Sequence, residues 1–324
     1  MNGGVRLLAD VGGTNARFAL QRDGRFDCVE VLSCARHGTL ADAMGSYLHA
    51  AARRGFAVDA IAHAAIAIAN PVEGDRVSMT NHHWNFSIEE LRGECALSTL
   101  LVVNDFAALA MSLPGLAPSQ RERIGGGSEL AGRPLGLIGP GTGLGVAGLV
   151  PAGDAWIALA GEGGHASFAP GTDDEAAILD ALRAEHGHVS AERLLSGPGI
   201  EAIHRVLAGE QLGASEITAR ALAGTCAASL RTVETFCGIL GSAAGNVALT
   251  LGATGGVYIG GGIVPRLGAL FARSAFRRRF EDKGRLSSYV ARIPTWVITE
   301  PYPALQGVAA MLSAHIAGQP STRN

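Results

Sequence analysis

Apolar residues along this chain fall into short runs broken by glycine or polar positions. The runs alternate with stretches whose apolar positions recur three and four residues apart. That alternation predicts a sheet with helices packed on its faces. "LLADVGGTNARFAL" at residues 7–20 reads as strand, glycine turn, strand, and "AIAHAAIAIANPV" supplies a later strand closed by Asn70 and Pro71. Between them "LADAMGSYLHAAARRG" has helical spacing and stops at Gly55, a usual C-terminal signal. "TLLVVNDFAALAMSL" runs from a buried strand directly into a helix, with Asn104 and Asp105 at the joint. Polar groups at the carboxyl end of such a strand point into a crevice.

The strand, glycine turn, strand grammar returns in "LGLIGPGTGLGVAGLV" at residues 135–150, a weak internal duplication. Next comes the irregular "LAGEGGHASFAP", carrying Glu162 and His165. Thr172 with Glu175 three residues later predicts a capping box, and Gly187 closes that helix. Asp173 and Asp174 fall in its first turn, where the helix dipole accounts for them, so the acidic trio reads as structural. "GHVSAERLLSGPGI" places Ser190, Glu192 and Ser196 at the start of another helix. "GGVYIGGGIVPRL" is a strand ending in Gly260, Gly261 and Gly262, where the backbone approaches something closely. "YPALQGVAAMLSAHIAG" is a last amphipathic helix, and no linker separates the halves.

Composition narrows the class. A chain of 324 residues is long enough for two medium cores, and an apolar share of 48% with 45 glycines and few aromatics suits an α/β enzyme with tight turns. A net charge of −3 offers no field for recruiting nucleic acid or an anionic membrane, so neither is expected as a partner. Cys28, Cys34, Cys95, Cys226 and Cys237 form no CxxC pair, which argues against a zinc site and a disulfide framework and for a reducing cytoplasm. "MNGGVRLLADVGG" has no signal core, and "FCGILGSAAGNVALTLG", the nearest thing to a membrane span, reads as a buried helix.

Glycine turns at strand ends point to phosphate and nucleotide binding, because backbone N–H groups freed of side-chain bulk can ring an anion. The only lysine is Lys283, so a Walker loop is excluded. "GLGVAG" at residues 143–148 matches a dinucleotide fingerprint but continues as a strand where that fold needs a helix. The pattern left is that of the actin-like ATPases, in which two glycine-turn hairpins grip the phosphates from opposite sides of a cleft. "DVGGTNARFAL", "VVNDFAALAMSLPG", "GPGTGLGVAGLV", "GEGGHASFAP", "SAERLLSGPG" and "GGVYIGGGIVPR" occur in the order found in bacterial ATP-dependent glucokinases, which the chain resembles along almost its whole length.

The resemblance implies an α/β, two-domain actin-like ATPase (ribonuclease H-like) fold with a central cleft. Residues 1–109 with 301–324 would form the small domain, and 110–300 the large one. It implies a first phosphate loop at Asp10, Gly12, Gly13, Thr14 and Asn15, a second at Gly141, Thr142 and Gly143 to Gly145, and an adenosine contact at Gly260, Gly261 and Gly262. Asn104, Asp105, Glu162, His165 and Glu192 would bind glucose, with Asp105 as the base. "GDRVSMTNHHW" resembles the family's segment beside the sugar, while Pro140 stands where the family often has a small residue and should stiffen the second turn.

The chemistry of these residues is consistent with that assignment. Sugar hydroxyls both donate and accept, so carboxylates, an amide and an imidazole satisfy them in a fixed pattern. Phosphoryl transfer needs positioning, a metal to shield charge and a group to take the hydroxyl proton. Asp105 at a strand's end suits the last task, and Asp10 suits the water shell of Mg2+. Structural readings stay open beside these: Asp10 as the cap of its hairpin, Asn104 and Asp105 as a helix N-cap, His165 as a core histidine, Glu192 as capping chemistry. His82 and His83 read as local hydrogen-bonding groups, and "RSAFRRRFEDKGR" as a solvated basic face or an interface.

The expected activity is ATP-dependent phosphorylation of D-glucose at the 6-hydroxyl, giving glucose 6-phosphate and ADP at the entry to glycolysis, by a chain that is compatible with a homodimer. The alternatives are a hexose or amino-sugar kinase of broader range and a non-catalytic sugar-binding regulator. A broader-range relative would carry a cysteine-rich zinc motif, and a regulator an N-terminal helix-turn-helix, for which a phosphate loop starting at Asp10 leaves no room.

Overall fold

The computed structural model describes residues 4–80 and 82–318. They divide into two compact units: one takes the chain up to Leu116, Ala152–Leu159 and the chain from Pro301, the other Ala117–Pro151 and Ala160–Glu300.

In the first unit, β1 (Arg6–Val11), β2 (Asn15–Arg22), β3 (Arg25–Ser33) and β4 (His63–Ile68) are joined further along by the short β5 (Arg76–Ser78) and β6 (Asn85–Ser87) and by β7 (Thr99–Asn104). The main sheet runs β3-β2-β1-β4-β7, while β5 and β6 pair separately. The strand β1 is antiparallel to β2 and parallel to β4, which is in turn parallel to β7. Alternation along each strand divides the core as the period of two requires. Leu7, Ala9, Ile66 and Ile68 pack on one face with Met44 and Tyr47 of the helix Leu40–Arg53. Leu8, Ala65 and Ala67 pack on the other with Leu305, Val308 and Leu312 of the helix Pro303–Ile316. The helix Pro303–Ile316 crosses its neighbour Asp105–Ser112 very closely: a Cβ at Gly307 would stand 1.6 Å from the Ala108 carbonyl oxygen.

The remaining strands are β8 (Arg121–Gly125), β9 (Leu135–Pro140), β10 (Leu144–Ala152), β11 (Ala155–Gly161), β12 (Gly256–Ile259) and β13 (Thr295–Ile298). Their order is β11-β10-β9-β12-β13-β8. Here β9 is antiparallel to β10 and parallel to β12, and β12 is parallel to β13. Without the edge strand β8, this repeats the order of the first sheet, so the duplication legible at the two glycine turns extends to whole-sheet topology. "GLGVAG" does lie at the start of a strand, β10. The 25-residue helix Ala227–Leu251 runs through the core with Phe236, Leu240 and Ala244, and no helix among the described residues is long and apolar enough to cross a membrane.

Three local expectations change. Thr172 caps the helix Asp173–His186 by accepting from the Glu175 amide, but the Glu175 carboxylate does not close the box. It takes the Gly171 amide at 2.7 Å and a two-pronged ion pair with Arg279, both side chains buried. Arg279 belongs to "RSAFRRRFEDKGR", so that segment is only partly a solvated face. Arg277 also turns inward, its fork donating to the carbonyls of Ala291 and Ile293, because a guanidinium can satisfy several chain-end carbonyls at once. Finally, Ser190 to Arg193 do not open a helix. A single 3-10 turn, Ala191–Arg193, precedes the helix Gly197–Ala208, whose cap is Ser196.

Candidate functional site

The carboxyl ends of β1, β4 and β7 lie level, since Val11 aligns with Ile68 and Ile68 with Asn104. Asp10, Asn104 and Asp105 therefore collect at one end of the sheet, where α/β folds bind ligands. Asp10 pairs with Arg17 directly across the hairpin, Arg17 Nη1 to Asp10 Oδ2 3.1 Å. Burial pushes the Asp10 carboxyl above the usual carboxylate range, and Arg17 offsets part of that. Gly12, Gly13 and Thr14 form the turn, Asn15 opens β2, and the Gly12 amide donates to the Asn15 carbonyl at 2.9 Å. Cys34, fully buried at the end of β3, ties this turn twice: its amide donates to Thr14 O at 2.9 Å and its thiol to Gly12 O at 3.4 Å.

Asn104 is the N-cap of Asp105–Ser112, its Oδ1 accepting from the Ala107 amide at 3.0 Å, while its Nδ2 lies 3.4 Å from Asn70 O. Asn70 is held in turn by its Oδ1, which accepts from the Thr80 amide and hydroxyl. The Asp105 carboxylate accepts from the Phe106 amide at 2.9 Å through Oδ1. The capping reading of this joint is thus structurally real. It also fixes the direction in which Asp105 leaves the strand.

In the other unit the turn Gly141–Gly143 joins β9 to β10. The Gly141 amide donates to Gly143 O at 2.8 Å, and Gly141 O accepts from the Gly197 amide at 2.9 Å. Pro140 ends β9, and its carbonyl lies against Gly261, where a Cβ would stand 2.2 Å from the oxygen. Gly261 also holds a φ of +77°, so of Gly260, Gly261 and Gly262 this one has a clear internal reason to be glycine. Glu162 and His165 bracket a short 3-10 turn pressed onto β10: a Cβ at Gly164 would meet Leu144 O at 2.0 Å. His165 is 60% exposed, which removes the core-histidine reading, and its Nε2 is 3.9 Å from Glu192 Oε1. Glu192 caps nothing, and its Oε2 accepts from the Leu144 amide at 2.9 Å. Glu162, His165, Glu192 and the glycine turn thus gather around the start of β10.

Sequence reasoning missed Arg17, Asn70 and Cys34. Arg17 was within reach, since Gly12 facing Asn15 across the two residues Gly13 and Thr14 puts it opposite Asp10, whereas no local signal marks the others. His83 Nε2 lies 3.1 Å from Gly38 O, in keeping with a local role, and no group of metal-binding side chains stands out among the described residues.

Two sheets of one topology, each opening on a glycine-turned hairpin, define the actin-like ATPase fold. The glucokinase family model matches residues 7–315, and the chain belongs to that family. It is 55% identical over 320 residues to a glucokinase of Chromobacterium violaceum, covering 96% of this chain and 90% of that protein. It is 53% identical over 324 residues to the "Bifunctional protein glk" of Paraburkholderia xenovorans, covering 98% of this chain and 50% of that protein. The chain spans about half the length of the bifunctional relatives it matches. Among solved structures, the glucokinase from an Antarctic psychrotroph superposes with a TM-score of 0.85 at 37% identity, covering 95% of this chain and 98% of that one.

Proposed function

We propose that this chain transfers the terminal phosphoryl group of ATP to the 6-hydroxyl of D-glucose, giving glucose 6-phosphate and ADP, the entry step of glycolysis. The family match across residues 7–315 is the observation that carries this reading. Asp105 takes the hydroxyl proton, and Asn104, Glu162, His165 and Glu192 hold the sugar's hydroxyls. The capped strand-to-helix joint supports the first role, because it holds the Asp105 backbone rigid at the end of β7.

The turns fit the phosphates of ATP. A Cβ at Gly141 would meet nothing within 4 Å, and one at Gly12 only an ordinary contact at 3.6 Å, so at neither position does packing demand glycine. The space each leaves is what a phosphate oxygen would occupy against the backbone N–H groups. Asp10 fits a hydrated magnesium ion, which when bound shields phosphate charge; a partly buried carboxylate with one arginine partner has acceptor capacity left for its water. All five cysteines are free thiols, in keeping with a cytoplasmic enzyme.

A coupled assay with purified protein tests the reading: ATP consumption should depend on glucose, and glucose 6-phosphate should accumulate in equal amount. ATP turnover indifferent to glucose would remove the kinase assignment. Comparable kcat/KM for glucose, N-acetylglucosamine and fructose would replace it with a general sugar kinase.

A further inference from the structure

Glu192 enters the kinase reading as one of the sugar's ligands, but its carboxylate is already bonded to the second glycine turn. Oε2 accepts from the Leu144 amide at 2.9 Å. A Cβ at Gly143 would stand 2.5 Å from that same oxygen and 3.2 Å from the carboxyl carbon. The carboxylate therefore stands where a side chain at 143 would go, and a Cβ there would have to push it aside. The root of Glu192 is tied as firmly: its carbonyl accepts from the Ser196 hydroxyl at 2.9 Å, and the next residue, Gly197, donates to Gly141 O at 2.9 Å. The turn is thus pinned on both sides of its exposed tip, Thr142, by one short segment. The other carboxylate oxygen, Oε1, is 3.9 Å from His165 Nε2.

We propose that Glu192 is a positioning residue for the nucleotide as well as a sugar contact: one carboxylate oxygen sets the second phosphate turn while the other faces His165, joining the two subsites through a single side chain. This rests on reading residues 141–143 as a phosphate turn. A charged acceptor holding a backbone N–H orients the neighbouring amides before phosphate arrives, so the order it imposes need not be supplied by the ligand. A residue that served the sugar alone would leave nucleotide affinity untouched when no sugar is present.

The test is titration of magnesium ADP and magnesium AMPPNP into the full chain by calorimetry, without sugar and then with saturating glucose. Glu192→Ala should weaken nucleotide binding by about tenfold or more in the absence of sugar, the usual consequence of losing a hydrogen bond to a charged group. Glu192→Gln keeps an oxygen acceptor for Leu144, so it should hold sugar-free nucleotide affinity near wild type while glucose affinity falls. Amide exchange at Leu144 gives the local readout: protection retained in the Gln variant and lost in the Ala variant. Should the Ala variant not fold, Gly143→Ala displaces the carboxylate from the turn side and must accelerate Leu144 exchange in the same way. Sugar-free nucleotide affinity equal to wild type in Glu192→Ala, or Leu144 exchange unchanged in Gly143→Ala, overturns the proposal alone. A wild-type chain that takes neither nucleotide overturns the kinase reading and this proposal with it.

Discussion

Asp10 and Arg17 face each other across the antiparallel ladder of the first hairpin, with 3.1 Å between guanidinium and carboxylate. The pair leaves Asp10 under-compensated, since burial outweighs the arginine and raises its carboxyl. A group whose folded pKa lies above its unfolded one lends stability at pH below the unfolded value, about 4 for aspartate, and loses it as pH rises through the folded value. Asp10→Asn removes that dependence while its amide oxygen still accepts from Arg17. The wild type should therefore lose thermal stability relative to Asp10→Asn between pH 4 and pH 8, and the variant should match or exceed it at pH 8 while losing most kinase activity. Paired melting curves check this; a variant clearly less stable at pH 8 contradicts it.

Asp105→Asn keeps the acceptor for the Phe106 amide and the shape of the joint, and removes only the carboxylate proposed as the base. General-base help contributes ~10²–10⁴ in rate. Turnover should fall by at least the lower figure, with glucose binding largely preserved in calorimetry. Turnover near wild type would take Asp105 out of its role.

Glycines 141 and 143 should separate nucleotide effects from shared ones. Gly141→Ala adds a methyl group that meets no protein atom within 4 Å, so melting temperature and glucose affinity should hold while nucleotide affinity drops. Gly143→Ala strikes the Glu192 carboxylate, so both ligands should weaken together in a folded protein. A nucleotide-only loss in Gly143→Ala would break the link from the turn to the sugar through Glu192, and unchanged nucleotide affinity in Gly141→Ala would refute the phosphate-turn assignment.

Cys34 should behave as a donor and not as a reactive thiol. Burial raises its thiol, which keeps it protonated and able to donate to Gly12 O. Cys34→Ser retains a hydroxyl donor, whereas Cys34→Ala leaves the Gly12 carbonyl short of a partner, at a cost of about 1 kcal/mol. The Ala variant should raise KM for ATP more than KM for glucose, and the Ser variant should recover most of the difference. Rapid labelling of Cys34 by a thiol reagent in the native protein would argue against the buried donor.

Local pattern was enough to locate much of this molecule. Glycines interrupting apolar runs marked both hairpins, the run from Thr99 into Ala107 announced a strand feeding a helix, and the continuation of "GLGVAG" as a strand excluded a dinucleotide fold. Each of these is set within a few residues by steric allowance, side-chain period or capping, so the sequence carries it openly. The proposed sugar ligands rest on the order of six motifs, not on any one of them.

Only the tertiary structure decided what each polar group is bonded to. Glu175 read as half of a capping box and instead meets Arg279, 104 positions away in the chain. Glu192 read as sugar or capping chemistry, and one of its carboxylate oxygens holds the Leu144 amide, 48 positions away. Nothing in the sequence of the last helix singles out Gly307, yet packing puts Ala108 O where its Cβ would be. Periodicity tells which face of an element is buried but not which partner arrives there. A partner distant in sequence is chosen by how whole elements pack, and the closest approaches, between backbone atoms, leave no trace in the chain except a glycine.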